Sequence, residues 1–233
     1  MNSSSYDRLW GGFWGDMQRF GPVHRHIMEH LLRTVSSLDV LTVLDVGCGS
    51  GENLAALAGV GGYELTGVDI SREALTRAQV RVPSARLFHL DVERESLPKQ
   101  FDLVISIQVM EHIVDDMAAF KSIAKMTRAY VFISTIKGRM RASEVAIGHV
   151  RNYSDVELRR KLECVGLDVL WISSWGFPFY SPLYRSLVEW LPSGPPAGPM
   201  GSLTRAGASL LYYLYQLNLP GRGAVLSVMA KLK

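Results

Sequence analysis

The sequence predicts an α/β protein with a doubly wound, mostly parallel sheet and helices on both faces. Apolar, β-branched segments recur in the first part of the chain, at residues 41–46, 64–69, 86–90, 101–107 and 129–135. Their apolar runs are continuous rather than alternating, which is typical of strands buried on both faces of a parallel sheet. Helical segments separate these runs, and this βαβα alternation favours the doubly wound architecture.

The predicted helices follow from their capping residues. Helices are expected at about residues 51–58, from Ser71 to about residue 80, and from about residue 115 to 126. Ser71 is a favourable N-cap. A further helix begins after Ser154, where Glu157 completes an S-x-x-E capping box, and it ends at Gly166. Residues 167–173 and 224–232 predict two more strands.

Composition and charge narrow the class of protein. The 233 residues are enough for one large domain, and the formal net charge is only +3. Lys and Arg gather between Lys137 and Lys161, but such a run is usually a solvated face, so nucleic-acid binding is not favoured. The two cysteines are far apart and predict neither a disulfide framework nor a zinc site. The sequence shows no signal peptide pattern and no membrane-spanning run, so we expect a cytoplasmic protein.

A glycine-rich segment, VLDVGCGSGENL at residues 43–54, follows the first predicted strand and opens the first predicted helix. Glycines here allow a sharp turn and close approach of a ligand to the backbone, with helix N–H groups pointing at it. A nicotinamide dinucleotide site requires G-x-G-x-x-G, and Glu52 stands where the third glycine would be. The loop therefore favours a ligand with an amino-acid head and a nucleoside.

Acidic residues follow the next two strands. Asp69 ends the second strand, where a carboxylate accepts hydrogen bonds from both ribose hydroxyls; the alternative is an acid that stabilises the following helix N-terminus. Asp91 follows the third strand, where a short acid suits an adenine amino group; the alternative is a loop cap.

Four segments together resemble the class I S-adenosylmethionine-dependent methyltransferases, most closely the small-molecule, ubiquinone-type (methyltransferase type 11-like) branch. They are VLDVGCGSGENL, VDIS, HLDVE and FDLVISIQVMEHI, in order over residues 43–113. The stretch GHVRNYSDVELRRKLECVGLDV at 148–169 is also similar to that branch. The resemblance implies a Rossmann-like sheet of seven strands with 224–232 antiparallel, and S-adenosyl-L-methionine as cofactor.

The resemblance also implies roles for single residues. Residues expected to hold the cofactor are Asp45, Gly47, Gly49, Asp69, Ile70, Asp91, Val92 and Gln108. Some ubiquinone-type enzymes carry E-x-x-E-H near a metal, whereas this chain has Gln108-Val-Met-Glu111-His112. Because an amide replaces the first carboxylate and hard divalent cations prefer several anionic oxygens, no catalytic metal is expected.

The remaining expectations concern the methyl acceptor. His149 and His112 are the candidate catalytic bases, while His26 and His30 share a helix face and are better explained as a structural pair. The candidate substrate contacts are Trp14, Arg151, Tyr153 and Phe177, of which Arg151 and Tyr153 are equally compatible with packing.

We expect residues 1–40 to form a helical lid, 41–173 with 221–233 the core, and 174–220 a helical insertion that completes the substrate pocket. The apolar insertion is also compatible with a homodimer or a peripheral membrane contact. The expected acceptor is a small aromatic or hydrophobic metabolite, with O-methylation ahead of N-methylation. The alternatives are an RNA methyltransferase, a non-catalytic cofactor-binding subunit and a nicotinamide oxidoreductase.

Overall fold

A computed structural model describes residues 7, 10, 13–189 and 199–233 of the chain. Its centre is a seven-stranded sheet with the order β3-β2-β1-β4-β5-β7-β6. The strands are β1 Thr42–Val46, β2 Glu64–Asp69, β3 Arg86–His89, β4 Phe101–Ile107, β5 Thr127–Ile136, β6 Leu167–Trp175 and β7 Val225–Leu232. All seven predicted strands are confirmed, and β7 runs antiparallel to both neighbours, β5 and β6.

Helices cover both faces of this sheet. In chain order they are α1 Phe13–Phe20, α2 Pro22–Val35, α3 Glu52–Val60, α4 Arg72–Arg81, α5 Asp116–Met126, α6 Ala142–Ala146, α7 Asp155–Cys164, α8 Arg185–Val188 and α9 Ser202–Tyr215. A 3-10 turn, Met110–His112, follows β4, and a π-helical segment, Phe179–Tyr184, precedes α8. None of the described helices combines the length and apolar character needed to cross a bilayer.

The helix starts follow the predicted capping chemistry. The Ser71 hydroxyl accepts a hydrogen bond from the Ala74 N–H at 3.1 Å, and Asp115 accepts one from the Ala118 N–H at 3.0 Å. Ser154 caps α7 in the same way. The carboxylate of Glu157, however, lies 3.0 Å from Lys161 Nζ. Only the Ser154 half of the expected capping box is therefore seen.

The apolar core forms two layers, one on each face of the sheet. Phe120 of α5 and Leu158 of α7 are fully buried in one layer, and Leu31 of α2 and Leu57 of α3 are fully buried in the other. Continuous apolar strands are required for this arrangement because both faces are covered. The strand order reverses direction between β1 and β4, and in such sheets ligands bind outside the carboxyl ends of the strands at this point.

The segment between β6 and β7 packs on the N-terminal helices through α9. His26 of α2 stacks on Tyr212 with ring centroids 4.6 Å apart, and Arg25 lies 3.6 Å above the same ring. The other side of α9 exposes Leu203 and Leu210. The expected homodimer or membrane contact stays a prediction, as does the cytoplasmic location.

Candidate functional site

A cavity of about 620 Å³ opens at the carboxyl ends of β1, β2 and β4, where the strand order reverses. Helices α1 and α2 form one wall through residues that include Trp14 and His24. The segment from Tyr180 to Val188 forms part of the opposite wall. The structure thus brings the glycine loop, the strand-end acids and two non-core segments around one space.

The glycine loop needs glycine at two positions in particular. Gly47 and Gly49 have φ values of 74° and 54°, which side chains rarely adopt. A Cβ on Gly49 would lie 2.3 Å from the Trp10 ring, and one on Gly47 would lie 2.4 Å from Val109 Cγ2. The loop is therefore packed against the N-terminal segment on one side and the β4 loop on the other.

Asp69 joins the second strand to this loop. Its carboxylate accepts hydrogen bonds from the backbone N–H groups of Gly49 and Ser71, both at 2.8 Å. The side chain borders the cavity and is 7% exposed. Burial raises the pKa of Asp69 to about 6, although both hydrogen bonds oppose this. Asp69 therefore supports the helix start and also borders the cavity, while its expected contact with the ribose hydroxyls stays a prediction.

Most of the other predicted cofactor residues line the same cavity, but Asp45 and Gly49 do not. Those that line the cavity with Asp69 are Gly47, Ile70, Asp91, Val92 and Gln108. Asp91 accepts a hydrogen bond from the Glu93 N–H at 3.1 Å and pairs with Arg94 at 3.3 Å.

Asp45 lies beneath the glycine loop rather than at the cavity surface. It is fully buried, and its carboxylate accepts a hydrogen bond from Asn53 Nδ2 at 3.3 Å. The side-chain oxygen of Asn53, Oδ1, lies 3.1 Å from His24 Nε2, so these contacts connect Asp45 to a residue of the cavity wall. Burial raises the pKa of Asp45 to about 7.

Glu111, His112 and His149 converge on another part of the cavity wall. One ligand-type atom of each lies within 4.8 Å of the others, and the two imidazole rings meet edge to face at 4.6 Å. Glu111 Oε2 accepts a hydrogen bond from Thr135 at 2.8 Å, while Oε1 is buried without a hydrogen-bond partner among the described residues. The Val150 N–H donates to the Glu111 carbonyl at 2.8 Å, which fixes the His149 loop against the β4 loop.

Burial controls the charge of this cluster. It raises the pKa of Glu111 to about 7. It also lowers the pKa of His112 to about 3, with His149 adding to the effect. Burial lowers the pKa of His149 as well, but there the Glu144 carboxylate and the Asn152 side chain favour the protonated form. Of the two histidines, His149 is therefore better suited to hold a proton.

The same cluster is relevant to metal binding. No catalytic metal was expected from the sequence, because the amide of Gln108 replaces a carboxylate. Two imidazoles and a carboxylate within 4.8 Å form a donor set that suits a borderline ion such as Zn²⁺ better than Mg²⁺. The residues therefore fit such an ion, and the absence of a catalytic metal stays a prediction.

The predicted substrate contacts separate into two groups. Trp14 lines the cavity, with its ring 5.5 Å from that of His112. Tyr153 does not, because it is 1% exposed and its phenol donates to Asp116 at 2.8 Å. Arg151 also pairs with Asp116, at 2.5 Å, and Phe177 borders a different, smaller cavity. None of the three lines the large cavity. Arg151 and Tyr153 fit the packing alternative instead, whereas the role of Phe177 as a substrate contact stays a prediction.

The histidine pair of α2 lies outside the large cavity, as expected. His26 packs between Trp175 and Tyr212, and His30 packs against Trp171. Sequence reasoning did not identify Tyr180, Tyr184, Glu144 and Arg185, which do line the cavity. Arg185 Nε donates to Glu144 Oε1 at 3.0 Å in a buried ion pair. No local motif marks this pair, because its members are 41 residues apart.

The central part of the chain is similar to known methyltransferases. Residues 43–129 match the family described as a methyltransferase domain. The ubiquinone biosynthesis O-methyltransferase of Hydrogenovibrio crunogenus is 25% identical over 154 residues, which cover 62% of this chain and 64% of that protein. The corresponding protein of Leptothrix cholodnii is 27% identical over 156 residues, which cover 62% of this chain and 66% of that protein. The chain thus spans just under two thirds of the length of these relatives.

Solved structures share the whole fold at low sequence identity. The N-methyltransferase NodS from Bradyrhizobium japonicum has a TM-score of 0.65 at 18% identity, over 99% of this chain and 97% of that one. The magnesium protoporphyrin IX methyltransferase from Synechocystis has a TM-score of 0.62 at 15% identity, over 100% and 96%. Both of those proteins were solved with S-adenosylhomocysteine bound.

Proposed function

We propose that this chain is a methyltransferase of the class I fold and that it transfers a methyl group from S-adenosylmethionine to an oxygen atom of a small aromatic or hydrophobic metabolite. The proposal depends on one observation: Gly47, Asp69 and the cluster of Glu111, His112 and His149 all line the same cavity. The two O-methyltransferase relatives support oxygen over nitrogen as the acceptor atom.

The cofactor seat follows from the strand order. Asp69 would accept hydrogen bonds from the ribose hydroxyls, and Ile70, Asp91 and Val92, which line the same cavity, would border the adenine end. The methionine end would lie over Gly47 and Gln108, with Asp45 beneath. When bound, the donor supplies a methyl group already activated on a sulfonium.

The protein's own task is to align the acceptor, exclude water and remove a proton. We infer that a ring nitrogen of His149 takes the proton of the acceptor hydroxyl, because Glu144 and Asn152 favour its protonated form. Bound in this seat, S-adenosylmethionine would supply the methyl group that the acceptor oxygen takes up, and S-adenosylhomocysteine would be the second product. Trp14, Tyr180 and Tyr184 offer aromatic surfaces to the acceptor.

The N-terminal segment would act as the lid over the donor. The Gln18 side-chain oxygen accepts hydrogen bonds from the Ser50 N–H at 3.0 Å and the Ser50 hydroxyl at 2.9 Å. Its amide nitrogen donates to the Cys48 carbonyl at 3.3 Å. Farther along the cleft, the Ser71 hydroxyl donates to Asp7 at 2.6 Å. These contacts connect the lid to both ends of the proposed cofactor seat.

Gln18→Ala is expected to release S-adenosylhomocysteine about tenfold faster, because it removes three hydrogen bonds that keep the lid on the loop. Stopped-flow tryptophan fluorescence measures the release rate. Gln79→Ala is the matched control, since Gln79 is exposed and its side chain donates to the Pro83 carbonyl at 3.3 Å, away from the loop. Equal release rates for the two variants would contradict the lid.

The proposed function is tested first by calorimetry with S-adenosylhomocysteine and, separately, with NADH. We expect micromolar binding of the former and none of the latter, because Glu52 opposes a pyrophosphate. NADH binding without S-adenosylhomocysteine binding would refute the proposal. Radiolabelled methyl transfer to a panel of phenols, amines and tRNA then separates small-molecule O-methylation from its alternatives.

A further inference from the structure

A second cavity, of about 340 Å³, lies beside the large one and is lined by four cationic side chains. These are Lys137, Arg139, Arg141 and Arg185. No carboxylate is among its described lining residues, and Phe177 and Pro182 supply apolar surface. We call this space the basic pocket.

The cations of the basic pocket are only partly neutralised. Lys137 pairs with Asp155 at 3.0 Å. Arg139 and Arg141 share a single carboxylate, Glu189, at 3.5 and 3.4 Å. Hydrogen bonds between ionised groups usually measure about 2.7–2.9 Å, so both guanidinium groups keep donor capacity for a further anion.

The basic pocket adjoins the proposed methyl-transfer site. Arg141 and Arg185 line both cavities. Arg185 is 7% exposed and held by Glu144, so it forms a fixed part of the shared wall. The four cations of the basic pocket pair with three carboxylates, those of Asp155, Glu189 and Glu144. One positive charge is therefore in excess.

We propose that the basic pocket binds an anionic group, a carboxylate or a phosphate ester, carried by the methyl acceptor. This inference rests on the proposed function, since it places the reacting hydroxyl near His149 in the large cavity and the anion at Arg139 and Arg141. Arginine suits this task because its planar fork of donors matches carboxylate and phosphate oxygens. The acceptor is then an acidic hydroxylated metabolite rather than a wholly neutral one.

The test compares matched charged and neutral probes: phenyl phosphate with phenol, and benzoate with benzamide. Their dissociation constants are measured by ligand-observed NMR at fixed ionic strength, with and without S-adenosylhomocysteine. We expect each anion to bind the wild-type protein at least about tenfold more tightly than its neutral partner. The double variant Arg139→Gln/Arg141→Gln should lose most of this ratio. The relative strength of phenyl phosphate and benzoate then identifies which anion the pocket prefers.

Two further variants keep the test decisive. Arg139→Gln alone changes a side chain that is 82% exposed, so it reports on the pocket even where the double variant folds poorly. Arg160→Gln removes an exposed cation of α7 from the same basic stretch of sequence and should leave the ratio unchanged. Equal binding of charged and neutral probes, or an equal loss in Arg160→Gln, overturns the inference. Failure of S-adenosylhomocysteine to bind refutes the proposed function instead, and the probe ratios still decide whether the pocket binds anions.

Discussion

Asp69→Ala is expected to weaken S-adenosylhomocysteine binding by about 1–3 kcal/mol, which is roughly 5- to 150-fold in the dissociation constant. The carboxylate would accept hydrogen bonds from both ribose hydroxyls, in addition to the hydrogen bond that it accepts from the Gly49 N–H at 2.8 Å. The variant removes the ribose acceptor and also frees the loop that forms the rest of the seat. Calorimetry at pH 7.5 measures the change.

The pH dependence of binding gives an independent check on Asp69. Burial raises its pKa to about 6, and only the ionised carboxylate accepts from two hydroxyls at once. Wild-type affinity should therefore fall as the pH drops through about 6, whereas Asp69→Ala should lack this part of the dependence. Asp45 and Glu111 titrate in a similar range, so the comparison between the two proteins isolates Asp69.

Asp168→Ala is the matched control for this variant. Asp168 lies on β6, and its carboxylate is half exposed and 3.5 Å from Lys233. Its removal should leave the dissociation constant unchanged. An affinity of Asp69→Ala within twofold of wild type would exclude the ribose role.

The proposed cofactor side of the site could be predicted from the sequence because strands of the sheet position its residues. Asp69 ends one strand and the glycine loop directly follows another, and the carboxyl ends of parallel strands meet at one edge. Once five buried strands are recognised, their meeting point follows from topology alone. The apolar residues 224–232 predict the seventh strand, whereas its antiparallel direction was expected only from the resemblance to the methyltransferases.

The acceptor half was less predictable because loops without regular geometry position it. Arg151 and Tyr153 lie within four residues of His149, yet only His149 faces the cavity, while the other two turn to Asp116. Helical or strand periodicity does not apply in the loop between α6 and α7, so sequence distance does not indicate direction there. The Glu144–Arg185 pair depends on how the insertion returns across the sheet, which no short-range pattern encodes.

His149→Ala is expected to lower kcat about 10²- to 10⁴-fold, the usual contribution of a general base, with little change in the S-adenosylhomocysteine dissociation constant. A base works in its neutral form, and burial keeps the pKa of His149 below its ordinary value. Wild-type kcat should therefore fall only on the acid side of about pH 6.5. The variant should instead gain rate steadily with rising pH, because the acceptor must then lose its proton to solvent.

Two other histidines of this chain serve to distinguish a catalytic base from a structural group. His30→Leu is the control. His30 is partly buried against Trp171, outside the large cavity, and its Nε2 has no hydrogen-bond partner among the described residues, so the change should leave kcat and its pH profile as in wild type. His112 cannot replace His149, because burial lowers its pKa to about 3 and an imidazolium there is strongly disfavoured. The result would contradict the role of His149 if kcat of His149→Ala stayed within threefold of wild type with the same fall at acid pH. The proton would then leave by another route. Glu111, whose pKa burial raises to about 7, is the group that this outcome would implicate.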